Sequence, residues 1–157
     1  MTDDQKAPAM RRALRMNSVR ADGSPNRDTV ELVVRDPFTG LEMRNEDGSP
    51  AVSMTLRPMT DDERIAIIDE HTKPKRDPIT QRMIEMVDED GVMNEIMRRA
   101  IVDWSGLVAC DDQPLRCTDR TKVLLDKSLK LQVQRKLFSA EATEVAADSF
   151  REPAGVS

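Results

Sequence analysis

The hydrophobic pattern of this chain changes period along its length, and each change marks an element. Between residues 29 and 35 the side chains Thr29, Val30, Leu32, Val33 and Val34 form a short β-branched and apolar run that predicts a strand. Asp36-Pro37-Phe38-Thr39-Gly40 then supplies turn chemistry, with a proline that fixes φ and a permissive glycine. Leu41-Glu42-Met43-Arg44 alternates, Asn45-Glu46-Asp47-Gly48-Ser49-Pro50 turns again, and residues 51–57 alternate until Pro58 ends the pairing. Together these runs predict a small antiparallel meander, which needs helices to cover its apolar face.

After Pro58 the period lengthens. Thr60-Asp61-Asp62-Glu63 matches a capping box, and its three acids oppose the positive end of the helix dipole. A helix is expected from here, carrying Ile65, Ile67 and Ile68 inward and stopping in the proline-containing stretch from His71 to Pro78. Asp77 before Pro78 predicts a second short helix through Ile79, Met83, Met86 and Val87. Asp88-Glu89-Asp90-Gly91 reads either as an acidic break or as an acidic helix start. Val92, Met93, Ile96, Met97, Ala100 and Ile101 then form one apolar helical stripe, with Arg98 and Arg99 near its end. Trp104 follows at the exit, and Gly106 can take the left-handed conformation that closes a helix.

Asp111-Asp112-Gln113-Pro114 is a turn, and Thr118 caps a helix carrying Val123, Leu124, Leu125, Leu129, Leu131, Val133, Leu137 and Phe138, with a bend or break at Ser128. Ser139-Ala140-Glu141-Ala142-Thr143-Glu144 offers one last cap. No repeat stands out. The expected architecture is α+β: a single domain over residues 28–150, in which an antiparallel meander leads into a bundle of three to five helices. Residues 1–27 read as a flexible basic arm, able to form a short helix over 10–19 on a partner, and residues 151–157 as a disordered tail.

Composition narrows the chemistry. The 157 residues include ten Met but only three Phe, one Trp and no Tyr, so the interior is aliphatic and sulfur-rich. A formal charge of −5 argues against general nucleic-acid binding, although Arg11, Arg12, Arg15, Arg20 and Arg27 concentrate positive charge near the start. Apolar runs such as Ile65-Ala66-Ile67-Ile68 fall far short of a membrane span, and no signal core is evident. Cys110 and Cys117 make no disulfide framework and, with His71 as the lone histidine, no zinc set. The acidic groups around residues 88–90 and 111–112 lack the alternation of a calcium loop. Neither a nucleophile beside a base nor a phosphate-cradling glycine loop is present, so neither enzyme activity nor a cofactor is expected.

Trp104 has two readings. As a core residue it fills space in an aromatic-poor interior with its indole N–H on a turn carbonyl; as a surface residue it anchors an interface. The core reading is preferred. Leu129, Val133 and Leu137 are the candidates for apolar helical surface in excess of what the interior consumes, available to hold another polypeptide.

Ala100-Ile101-Val102-Asp103-Trp104-Ser105-Gly106-Leu107, followed by an acidic turn with Pro114, then Thr118 and the helix through Val123-Leu124-Leu125, resembles small tail-assembly chaperones of tailed bacteriophages. The likeness covers about a third of the chain, centred on residues 97–126. The resemblance implies a non-enzymatic protein of the host cytoplasm that binds the hydrophobic helices of tape-measure protein, with tail-tube protein and self-association as further contacts. It also implies that a longer, frameshifted form exists. Neither nucleic acid nor membrane is expected as a partner. The alternative expectation is a virion structural protein, a connector or tail component that docks through its basic arm.

Overall fold

Residues 9–147 are described by a computed structural model, as two compact units. In one, β1 (Met10–Arg15) pairs antiparallel with β7 (Glu141–Ala146). Their register sets Arg12 opposite Glu144 and Arg15 opposite Glu141, and opposite charges across a strand pair contribute about 0.2–1 kcal/mol each. This corrects two expectations. The basic stretch forms a strand over Met10–Arg15, not a mobile arm or short helix, and Glu141-Ala142-Thr143-Glu144 is strand, not a last helix. Helix propensity in both segments yields to a ladder between residues far apart in sequence. The first eight residues of the expected arm and the tail over residues 151–157 lie outside the described residues.

The other unit, Asn17–Ser139, is built on a three-stranded antiparallel sheet in the order β2 (Val30–Val33), β3 (Ser53–Leu56), β6 (Ile101–Ser105). The fold is therefore mixed α+β, with four helices among the described residues. The third strand is not Leu41-Glu42-Met43-Arg44, which makes only isolated bridges at Glu42 and Arg44. Its place is taken by β6, which begins where a helix was expected to end. The register aligns Leu32, Met54 and Trp104 in one row across the sheet, and Val30, Leu56 and Ile101 in another. Met54, Leu56 and Ile101 are fully buried, so these rows form the floor of the core.

Helices cover that floor. α1 (Asp61–Glu70) starts at Thr60, whose hydroxyl accepts the Glu63 N–H at 3.3 Å. Ile67 points inward and Ile68 is half-buried, but Ile65 stays half-exposed, contrary to expectation. α2 (Glu89–Ala100) opens on Asp88, which caps the Gly91 N–H at 3.0 Å and so resolves the acidic segment as a helix start. Its stripe of Val92, Ile96, Met97 and Ala100 is buried. Glu95 braces Arg98 and Arg99 at 2.7 Å each, and the Arg99 and Arg98 guanidinium groups hold its carboxyl below the usual glutamate range.

The last helical segment splits into α3 (Asp119–Val123) and α4 (Lys127–Phe138), with the break at residues 124–126, ahead of Ser128. The Thr118 and Thr121 side chains cap α3 reciprocally. α4 is fixed by both ends of the Gln132 carboxamide, which accepts from the Arg35 N–H at 2.8 Å and donates to the Arg35 carbonyl at 2.9 Å. A helix side chain thus imitates a neighbouring strand where β2 runs on. Phe138 supports the Arg64 guanidinium, 5.2 Å from the ring centre, and links α4 to α1.

A second expected helix is absent. Residues 72–87 form a ribbon in which β4 (Thr72–Arg76) pairs antiparallel with β5 (Met83–Val87). The loop between them has a twin. In Asp36-Pro37-Phe38-Thr39-Gly40-Leu41 the Asp36 carboxylate accepts the Phe38 N–H at 2.8 Å and the Asp36 carbonyl accepts the Gly40 N–H at 2.8 Å. In Asp77-Pro78-Ile79-Thr80-Gln81-Arg82 the corresponding bonds, from Ile79 and Gln81 to Asp77, are both 2.9 Å. The fifth residue has positive φ in each, 71° at Gly40 and 60° at Gln81. The proline after Asp77 thus begins a hairpin loop, not a helix. A second motif also recurs: Asp22-Gly23-Ser24-Pro25 and Asp47-Gly48-Ser49-Pro50 form the same turn, with the aspartate accepting the serine N–H at 2.9 Å in both. Short turn motifs therefore do repeat along the chain.

Candidate functional site

The four residues nominated from sequence belong mainly to the interior. Trp104 stands on β6 opposite Met54, is 9% exposed, and donates its indole N–H to the Leu115 carbonyl at 2.7 Å. It occupies the core position, with its polar edge satisfied by the loop that follows. Gly106, two residues on, has φ 85° and closes that strand, not a helix; any Cβ there would run into the Ala51 carbonyl oxygen. On α4, Val133 and Leu137 are buried and Leu129 packs half-buried against the same core. This corrects their assignment as apolar surface for a partner. The helical stripe is consumed by the sheet it covers, and Val133 or Leu137 reaches another polypeptide only if α4 leaves its seat.

Folding leaves apolar side chains uncovered at several places, Leu41, Val108 and Leu124 among them, and it leaves four together on one strand of the β4–β5 ribbon. Every residue of β5 is exposed, and four of its five are apolar: Met83, Ile84, Met86 and Val87. At the tip, Ile79 is 90% exposed, and Phe38 at the tip of the twin loop is 96% exposed. Opposite β5 runs Thr72-Lys73-Pro74-Lys75-Arg76, with Lys73 facing Met86 and Lys75 facing Ile84 across the ladder. Facing residues share a side of the ribbon, so one side carries Lys73, Lys75, Ile84 and Met86. A two-stranded ribbon without a covering layer is at best marginal in water, so this one depends on its anchorage to folded elements at its base. There His71 donates Nδ1–H to the Ile67 carbonyl at 2.9 Å and caps α1, while the Asp88 N–H donates to the His71 carbonyl at 2.9 Å. Both strands are therefore clamped at one end, and the rest of the ribbon projects into solvent.

Other chemistry on the molecule is sparse. Among the described residues no three or more His, Cys, Asp or Glu side chains gather as a metal site would require. His71 is engaged in capping, away from either cysteine in sequence, and burial is the main cause that pushes the Cys117 thiol up. A cleft of about 340 Å³ between α2 and α4 is lined by Asp90, Met93, Asn94, Lys127 and Lys130, but Lys130 already donates to Asn94 at 3.0 Å. No described helix is long and apolar enough to cross a membrane.

Sequence reading missed the ribbon because Ile79, Met83, Met86 and Val87 also fit a helical period. The usable signal was the likeness of Asp77-Pro78-Ile79-Thr80-Gln81 to Asp36-Pro37-Phe38-Thr39-Gly40, which marks both as hairpin loops. Comparison with protein-family models, with curated proteins and with solved structures found no match.

Proposed function

We propose that this protein is a non-enzymatic binder of an unassembled polypeptide, and that the β4–β5 ribbon is the element that holds it. The observation that carries the reading is the exposure of Met83, Ile84, Met86 and Val87 on a clamped strand whose apolar side chains contribute little to the core. Exposed apolar surface of this kind is an aggregation liability unless something binds it. Methionine suits the role, because its unbranched thioether repacks against varied neighbours. The resemblance around Trp104 supplies the biological form of the proposal: a tail-assembly chaperone that keeps the apolar segments of tape-measure protein soluble in the host cytoplasm until tail-tube protein surrounds them.

The experiment is co-expression of the full chain with a tape-measure-like polypeptide that aggregates alone. A soluble complex is expected, and the double substitution Ile84→Ser with Met86→Ser should return the partner to the pellet while the variant keeps its own melting temperature. Capture that survives this substitution removes the ribbon from the mechanism. Recovery of the protein from purified particles in stoichiometric amount would favour a structural component of the virion instead.

A further inference from the structure

We propose that the outer edge of β5 binds an extended, apolar and acidic segment of the partner by strand addition, an inference that rests on the protein-binding reading and specifies its chemistry. The ladder fixes which backbone groups are open. Asp77 N–H donates to the Arg82 carbonyl at 2.8 Å at one end and Asp88 N–H to the His71 carbonyl at 2.9 Å at the other. In an antiparallel pair, bonded and non-bonded positions alternate. Lys75 with Ile84 and Lys73 with Met86 therefore exchange bonds inside the ribbon, whereas Met83, Glu85 and Val87 turn their N–H and C=O groups outward. No backbone bond to those three outward positions occurs from any loop of the described residues.

Side chains take some of the outward backbone groups at the margins of the three-stranded sheet. On the β2 side the Gln132 carboxamide occupies both backbone groups of Arg35. On β6 the Asp103 carboxylate takes the Trp104 N–H at 2.9 Å, and the Cys117 thiol reaches the Val102 carbonyl at 3.8 Å. β4 is blunted in its own sequence, Lys73-Pro74-Lys75, where Pro74 lacks an N–H at an outward position and the lysines oppose close approach of another strand. β5 carries neither device. Its edge is long enough for a short added strand, and apolar side chains flank it on both sides of the ribbon.

Charge selects the occupant. Residues 72–87 hold four cations, Lys73, Lys75, Arg76 and Arg82, against Asp77 and Glu85, on a chain whose net charge is −5. A segment laid along β5 meets apolar side chains first and this cationic field next, which favours alternating apolar and acidic residues. A second copy is the poorer fit, because two β5 strands paired about their midpoint set Glu85 against Glu85, and like charges directly opposite are destabilising.

The test uses the full chain and two fluorescent ten-residue peptides, one alternating Val and Glu, the other Val and Lys. The Val/Glu peptide should bind about ten-fold more tightly or better, with Lys73→Glu plus Lys75→Glu reversing the order. Amide hydrogen exchange should slow about ten-fold at Met83, Glu85 and Val87 on binding, while Ile84 and Met86 change little. Glu85→Pro, which copies the block already present at Pro74 and removes no bond inside the ribbon, should abolish binding without changing the melting temperature. Should that variant fail to fold, the exchange pattern of the unaltered protein still decides. Capture of the co-expressed partner without protection at those three amides overturns strand addition and leaves the proposed function standing. Binding of neither peptide nor co-expressed partner overturns both. The same protection pattern in a concentration-dependent dimer, with no peptide present, assigns the edge to a second copy and overturns the proposal.

Discussion

The β2–β3–β6 sheet and the β4–β5 ribbon are both antiparallel, yet they occupy opposite physical regimes. In the sheet, Met54, Leu56 and Ile101 lose all solvent contact beneath α1, α2 and α4, and an error of one residue in register would turn them out. In the ribbon, Met83, Ile84, Met86 and Val87 stay exposed, and the backbone ladder with its clamped base sets the structure. The same residue types therefore serve stability in one region and remain available for contact in the other. Three methionines show the division directly, Met54 being sealed in the core while Met83 and Met86 stand in solvent.

The comparison predicts a graded set of effects. Trp104→Ala should destabilise by about 3–5 kcal/mol in chemical denaturation, since it empties an aromatic site in the core and leaves the Leu115 carbonyl unpaired. If Ile84→Ala costs as much, the ribbon belongs to the core and the distinction fails. Gly106→Ala should cost about 1–3 kcal/mol, from an alanine held at positive φ against the Ala51 carbonyl. Asp88→Ala acts at the joint between the regions. Losing the cap of α2 should cost about 1 kcal/mol and loosen the base of the ribbon, read as faster exchange at Gly91. Ile84→Ser with Met86→Ser should change stability by less than about 1 kcal/mol while abolishing partner capture.

The smallest effect is one of pH. The Ile79 N–H, with help from Thr80, holds the Asp77 carboxyl below the usual aspartate range. Its contribution is fully present above the ordinary aspartate pKa and is lost as pH falls through the lowered folded value. Acidification should thus release the Ile79 amide at the ribbon tip before the core melts, observable by NMR titration. A tip amide that stays protected throughout would show that this bond does not order the loop.

Local signals in the sequence were read well where the chain meets them within a few residues. Thr60 and Thr118 cap the helices expected of them, the turns at residues 36–40, 45–50 and 111–114 are present, and the stripe from Val92 to Ala100 is buried. Expectations failed where two periods fitted the same residues. Ile79, Met83, Met86 and Val87 satisfy a helical spacing as well as a strand, and Glu141-Ala142-Thr143-Glu144 has the form of a cap until β1 lies beside it. The candidate surface failed for a related reason. Periodicity identifies an apolar face but not what covers it, so Leu129, Val133 and Leu137 read as surplus until the sheet beneath them is in place.

By itself, then, the sequence determined the caps of α1 and α3, the turns and the apolar stripe of α2, because each depends on bonds or spacings specified by neighbouring residues, whereas it left Trp104 between core and interface. Only the tertiary structure decided that β6 completes the sheet, that the α4 stripe is spent inside, and that β5 is left bare. Burial and strand pairing are set by residues distant in the chain, and their registers are fixed by the joint packing of sheet and helices.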